Sequence, residues 1–217
     1  MKHIYCIVIS CLIFIPSYAQ PENEEVTHYL FPEFTQGVIL MKAGKKNDFL
    51  LNYNSLTEEM IFERNGKKLA ISKTDLGIID TVFIRDRKFI ALNSSFVEVL
   101  YHSKWDLYVE HKCKVEEQGK PSGYGTTSKT TAITSIASLA AGGNFYELKL
   151  PSNYEIEPYT YLWLKKNGEL NKFINMRELK KLYKDKEDIF KAYVKKHSVK
   201  YNNQESIIQL IEYLEAN

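Results

Sequence analysis

Short apolar runs alternate with turn residues from Thr35 to Glu117. The runs read GVILMK, DFLLNYN, EEMIFERNGKKLAI, DTVFIRDRKFIAL, FVEVLYHS and WDLYVEHKCKVEE. Each reads as one or two short strands, and no helical period intervenes between them. Parallel strands need helical crossovers, so the strands must pair antiparallel. Asn65-Gly66, between two apolar runs, is the strongest short hairpin signal in the chain. Asp86-Arg87 marks a second turn with weaker chemistry. The expected fold class is α+β, mainly β: an antiparallel meander that forms a sandwich or a partly open barrel, followed by C-terminal helices.

The run from Trp105 shows the strand period most clearly. Trp105, Leu107, Val109, His111, Cys113 and Val115 fall on one face, and Lys104, Asp106, Tyr108, Glu110, Lys112 and Lys114 on the other. A period of two predicts one buried face and one wet face, with Cys113 an unreactive core residue. A stretch rich in Ser, Thr, Ala and Gly follows, including GYGTTSKT at Gly123–Thr130. Strands resume at FYELKL and at YTYLWLKKNGELNKFI, the latter with an Asn167-Gly168 turn.

From Asn175 the period becomes helical. Asn175 and Glu178 have capping-box spacing ahead of a stripe of Met176, Leu179 and Tyr183. Asp185 is a candidate cap for a second helix bearing Ile189, Phe190, Tyr193 and Val194. Asn203 is a candidate cap for a third, bearing Ile207, Ile208, Ile211 and Leu214. The reading divides the chain into a signal peptide (1–19), an N-terminal extension (20–34), an antiparallel β-domain (35–173) and a three-helix segment (174–217). A Ser/Thr/Gly-rich loop occupies 119–144 of the β-domain.

Export is read from MKHIYCIVISCLIFIPSYAQ. Lys2 supplies the positive end, Ile4 to Ile15 the apolar run, and Ser17-Tyr18-Ala19 the small-residue cleavage signal. The apolar run is about a dozen residues, short of the roughly 20 that span a bilayer. The expected location is the periplasm or the cell surface, with no transmembrane segment left after cleavage. Cys6 and Cys11 leave with the peptide. Cys113 then stands alone, so a hydrophobic core rather than an internal disulfide must hold the mature chain together. The formal net charge is only +2, which does not point to nucleic acid as a partner.

GYGTTSKT resembles the phosphate loop G-x-x-x-x-G-K-[ST], but Ser128 replaces the second Gly. KVEEQGKPS precedes it where a buried strand is needed. An exposed connection with Tyr124 as its candidate anchor is the better reading. His102, Glu110, His111 and Cys113 mix metal-ligand types, but Glu110 points away from the others, and a structural zinc site needs four convergent ligands. No metal and no cofactor is expected. No catalytic residue is assigned either: there is no G-x-S-x-G elbow or H-E-x-x-H helix, and Glu58-Glu59 and Glu116-Glu117 are strand neighbours that face opposite ways.

Tyr159, Tyr161 and Trp163 alternate with Thr160, Leu162 and Leu164. If the Leu face is the core, the three aromatics form a ladder toward solvent, suited to stacking on a sugar ring or a peptide. Tyr159, Tyr161, Trp163 and Tyr124 are therefore the candidate ligand-binding residues. Lys and Arg outnumber Asp and Glu between Asn171 and Lys200, which allows weak contact of the helices with an anionic membrane surface.

QGVILMKAG, LLNYNSLTEEMIF, NGKKLAI, FVEVLY, WDLYVEHK, GYGTTSKTTA and ESIIQLIEYL together resemble a set of exported β-rich envelope proteins of Bacteroidota-type bacteria, a family of unknown function. The resemblance covers most of the mature chain and implies location and architecture, not an activity. The expected function is that of a non-enzymatic cell-envelope module binding a protein, peptide or glycan partner. An envelope hydrolase and a carrier of an apolar ligand are the alternatives.

Overall fold

The computed structural model of the chain describes residues 28–117 and 154–217. Ten strands form one open antiparallel sheet. They are β1 (Thr35–Met41), β2 (Lys46–Asn54), β3 (Glu59–Arg64), β4 (Lys67–Ala70), β5 (Ile79–Ile84), β6 (Arg87–Leu92), β7 (Ser95–His102), β8 (Asp106–Glu117), β9 (Tyr154–Lys166) and β10 (Glu169–Phe173). The order across the sheet is β10-β9-β8-β7-β6-β5-β1-β2-β3-β4. Two meanders, β1–β4 and β5–β10, thus join where β1 pairs with β5. The expected antiparallel meander with C-terminal helices is what forms, as one curled sheet with β4 and β10 at its edges.

Asn65 and Gly66, and Asn167 and Gly168, have positive φ, as the hairpin readings require. The other turn is displaced by one residue. Arg85 carries the positive φ, at 55°, and Arg87 already belongs to β6. Its side chain is needed on that strand, as shown below. FYELKL, GYGTTSKT and the proposed signal peptide lie outside the described residues.

Cross-strand pairing runs one row through seven strands: Phe173, Leu162, Val109, Glu98, Phe89, Val82 and Ile39. Directly opposed residues share a face, so both hydrophobic cores lie on the same side of the sheet. The first core is built by the curl of β1–β7 around Leu51, Tyr53, Met60, Phe89 and Phe96. Phe31, from the segment ahead of β1, plugs it. The Asn52 side chain fixes that segment by accepting from Phe31 N (3.1 Å) and donating to Phe31 O (2.9 Å). The curl brings the β2–β3 turn round to β8, where Cys113 N–H donates to Ser55 O at 3.1 Å.

The second core lies between β8–β10 and three helices: α1 (Met176–Leu182), α2 (Glu187–His197) and α3 (Gln204–Ala216). Leu179, Phe190, Ile207, Ile211 and Leu214 meet Leu107, Val109, Leu162, Leu164 and Phe173 there. The helical stripes read from the sequence therefore face the sheet. Asn175 caps α1, its Oδ1 accepting from Glu178 N at 2.9 Å, while Glu178 Oε2 accepts from Ile174 N. Asn203 caps α3 by accepting from Ser206 N at 3.0 Å. Asp185 does not cap α2. It sits in a 3-10 turn, and Lys186 at the cap position makes no side-chain capping bond. No helix among the described residues is long and apolar enough to cross a membrane.

Gly37 is the tightest point of the curl. A Cβ there would lie 2.5 Å from Phe83 O and 2.7 Å from Leu51 Cδ1. The carbonyl belongs to a paired strand and cannot yield without breaking the ladder. Gly37→Ala is expected to destabilise the fold by about 1–3 kcal/mol in urea unfolding. A wild-type midpoint in that variant would show that the curl is looser than described.

Candidate functional site

Two polar clusters stand on opposite faces of the sheet. The first interrupts the apolar row. Glu98 is the one charged member of that row, and only 7% of it is exposed. Arg87, two residues before Phe89 and on the same face, grips it with both ends of the guanidinium: Nε donates to Oε1 at 2.7 Å and Nη2 to Oε2 at 2.5 Å. His111, two residues after Val109, donates from Nε2 to Oε2 at 2.7 Å. The guanidinium also lies over the rings of Phe31 and Phe89, at 5.0 and 5.5 Å. Burial alone would raise the Glu98 carboxyl. The bonds from His111 and Arg87, with their charges, outweigh it and hold the group below its ordinary value.

The expected wet face of β8 needs correction. Tyr108 and Glu110 belong to it by period, yet they are 6% and 7% exposed. His111, Cys113 and Val115, expected in the core, are only partly buried. The β2–β3 turn accounts for part of this, because it docks against this end of β8. Lys112 pairs there with Glu58. The strand is therefore covered on both sides near its middle, a condition that a two-residue period cannot signal.

Tyr159, Tyr161 and Trp163 do share the face away from the helices, with Leu162 and Leu164 buried beneath. The three rings are half-buried and do not make a flat platform. Tyr159 and Tyr161 meet edge to face, with centroids 5.3 Å apart and planes at 68°. Lysines lie against them. Lys172 Nζ is 3.8 Å from the Tyr161 centroid and 5.2 Å from that of Trp163, and Lys114 Nζ is 5.4 Å from that of Tyr159. Tyr124 lies outside the described residues.

Glu110 organises this second cluster. It accepts from Trp163 Nε1 at 3.0 Å and from Lys112 Nζ at 3.1 Å, with Lys172 Nζ 3.7 Å away. Burial pushes its carboxyl up, but the bonds from Lys112 and Trp163 and the two ammonium charges keep it below the ordinary range. It is thus fixed as an acceptor.

Beside Trp163 opens a cleft of about 340 Å³. Val97, Glu110 and Trp163 line it from the sheet. Thr57 and Glu58 line it from the β2–β3 turn, Glu59 from the start of β3, Ile71, Lys73 and Leu76 from the connection after β4, and Asn93 and Ser94 from the β6–β7 turn. Glu58 and Ser94 take left-handed backbone, with φ of 60° and 68°, which residues other than Gly or Asn rarely adopt. Thr57 Oγ1 is buried with no hydrogen-bond partner among the described residues. Of the residues weighed as metal ligands, His102 pairs with Asp106 at the end of β8 and His111 with Glu98, on the face opposite to Glu110.

Sequence reasoning found the aromatic row but missed its anchors, Glu110 and Lys172, and missed the Arg87–Glu98–His111 group. A signal existed for Glu98: it is the lone charge inside the apolar run FVEVLY.

Two outcomes follow from these environments. A carboxyl held low stabilises the fold above its ordinary value of 4.5, and that contribution is lost as pH falls through the lower folded value. Glu98→Gln should cost about 1–3 kcal/mol at neutral pH, and the gap from wild type should narrow below pH 4.5 in urea titrations. A gap independent of pH would mean that the charge is not what Arg87 and His111 hold. The Cys113 thiol is pushed up to about 11 by burial and the nearby Glu58 charge. An aromatic disulfide reagent at pH 8 should label native Cys113 about a hundredfold more slowly than the urea-unfolded thiol. Comparison with known protein families, with characterised proteins and with solved structures finds no match to this chain.

Proposed function

We propose that the chain is an exported, non-enzymatic module of the cell envelope that binds a protein, peptide or glycan partner. The observation that carries this reading is the junction of the aromatic row with the cleft. Trp163 belongs to both, and Glu110 fixes its indole edge. Such a site offers apolar surface beside a small number of oriented polar groups, the combination by which ligand sites achieve orientation. Export is supported by the N-terminal sequence, with its positive end, short apolar run and small-residue cleavage signal.

The two alternatives are less well supported. A hydrolase acting here would need a proton donor, and Glu110 is held as a carboxylate by two ammonium groups and an indole N–H. A carrier of an apolar ligand would need an apolar lining, whereas Glu58, Glu59, Lys73 and Glu110 border this cleft.

Trp163→Ala is expected to weaken capture of the partner from envelope extracts by about tenfold or more, in the range of an aromatic hot spot. Thermal melting should show the variant still folded, because the indole is half-buried on the face away from the helical core. Undiminished capture by a folded Trp163→Ala protein would place the binding surface elsewhere.

A further inference from the structure

We infer that the cleft takes a neutral or amino sugar, as a free oligosaccharide or as part of a glycan chain. This rests on the binding reading above and names its ligand class. The cleft sets the indole of Trp163 against a rim of acceptors, with Phe96 the second aromatic residue of its lining. Trp163 presents indole surface, and its N–H is already committed to Glu110, so the ring contributes contact area rather than a donor. Val97, on β7 across β8 from Trp163, adds to the apolar floor. A pyranose has the matching form: a face of C–H groups and a rim of hydroxyls.

The polar groups select further. Glu58 keeps lone pairs for a ligand hydroxyl or ammonium after its bond to Lys112, and Glu110 keeps fewer after its bonds to Lys112 and Trp163. Hydrogen bonds to ionised acceptors are the strong ones, so hydroxyl and amino donors gain most here. A sugar bearing carboxylate or phosphate would instead bring acceptor oxygens against Glu58 and Glu110, to which it has no proton to donate.

A peptide fits less well. Extended peptides gain affinity by adding to a free strand edge. Beneath the cleft β7 pairs with β6 and β8, and β8 with β7 and β9. No backbone ladder is therefore offered on that floor. The volume, near the lower end of the roughly 300–1,000 Å³ typical of ligand pockets, suits one or two sugar rings.

The chain carries its own probe. It has two tryptophans, and Trp105 is 5% exposed beneath the helices, so a ligand in the cleft reports through Trp163 fluorescence. The mature protein would be titrated with three oligosaccharide sets, neutral and N-acetylated, amino, and uronic or phosphorylated, and with a random peptide library. The expected result is a Trp163 emission change with neutral or amino sugars. Calorimetry should give the same affinity, weakened about tenfold or more in Trp163→Ala and within about threefold in Trp163→Phe, which keeps a ring but no N–H. Thermal melting of both variants establishes that they are folded.

A Trp163 response to peptides alone, or to acidic sugars alone, overturns the sugar assignment and leaves the binding reading standing. Silence from every probe, with the protein folded, overturns both.

Discussion

One buried carboxylate, Glu98 of β7, ties together three neighbouring strands at the middle of the sheet through Arg87 of β6 and His111 of β8. Seven strands contribute to a row that is apolar except at Glu98. On one side of it lies the core wrapped by the curl, and on the other the core covered by helices. A lone buried carboxylate at that point would be untenable. Arg87 and His111 make it tenable, and each sits two residues from an apolar member of the same row. Well-packed apolar residues could serve stability equally. What an ionic group adds is geometric definition: a bidentate guanidinium fixes the angle and register of the strands it joins.

The same logic recurs on the opposite face. Glu110 draws together Lys112 from its own strand, Trp163 from β9 and Lys172 from β10, and through Lys112 it reaches the turn that closes the curl. The binding surface is therefore tied to the closure of the fold. Trp163 is positioned by a group whose other two partners come from β8 and β10. A site assembled in this way is rigid at its base, and the loops at its rim are free to differ.

Much of the architecture was legible in the residues. Asn65-Gly66 and Asn167-Gly168 announce their turns because few other dipeptides tolerate the backbone required. The helical stripes are legible because α1–α3 each bury one face only. The period of two along β8 misleads for the complementary reason. It assumes one wet face, and here the helices cover one side while the β2–β3 turn and the indole of Trp163 cover the other. Asp185 failed as a cap since a 3-10 turn intervened before α2. The aromatic row was visible, but the cations lying on it come from β8 and β10, and no local pattern reports which strands become neighbours. The cleft was wholly illegible, because its lining is gathered from five separate stretches of chain.

The longest ladder in the sheet, twelve paired residues between β8 and β9, also has a consequence for chain length. The strands it joins are separated in sequence by residues 118–153. Closing a connection of that length rather than a tight turn costs only about 2–3 kcal/mol, since the penalty grows with the logarithm of length. A twelve-residue ladder covered by helices on one face outweighs that many times over. The entropy of closing so distant a pair of strands is thus a minor term beside the ladder itself, which is why the longest pairing in the sheet need not be its most local one.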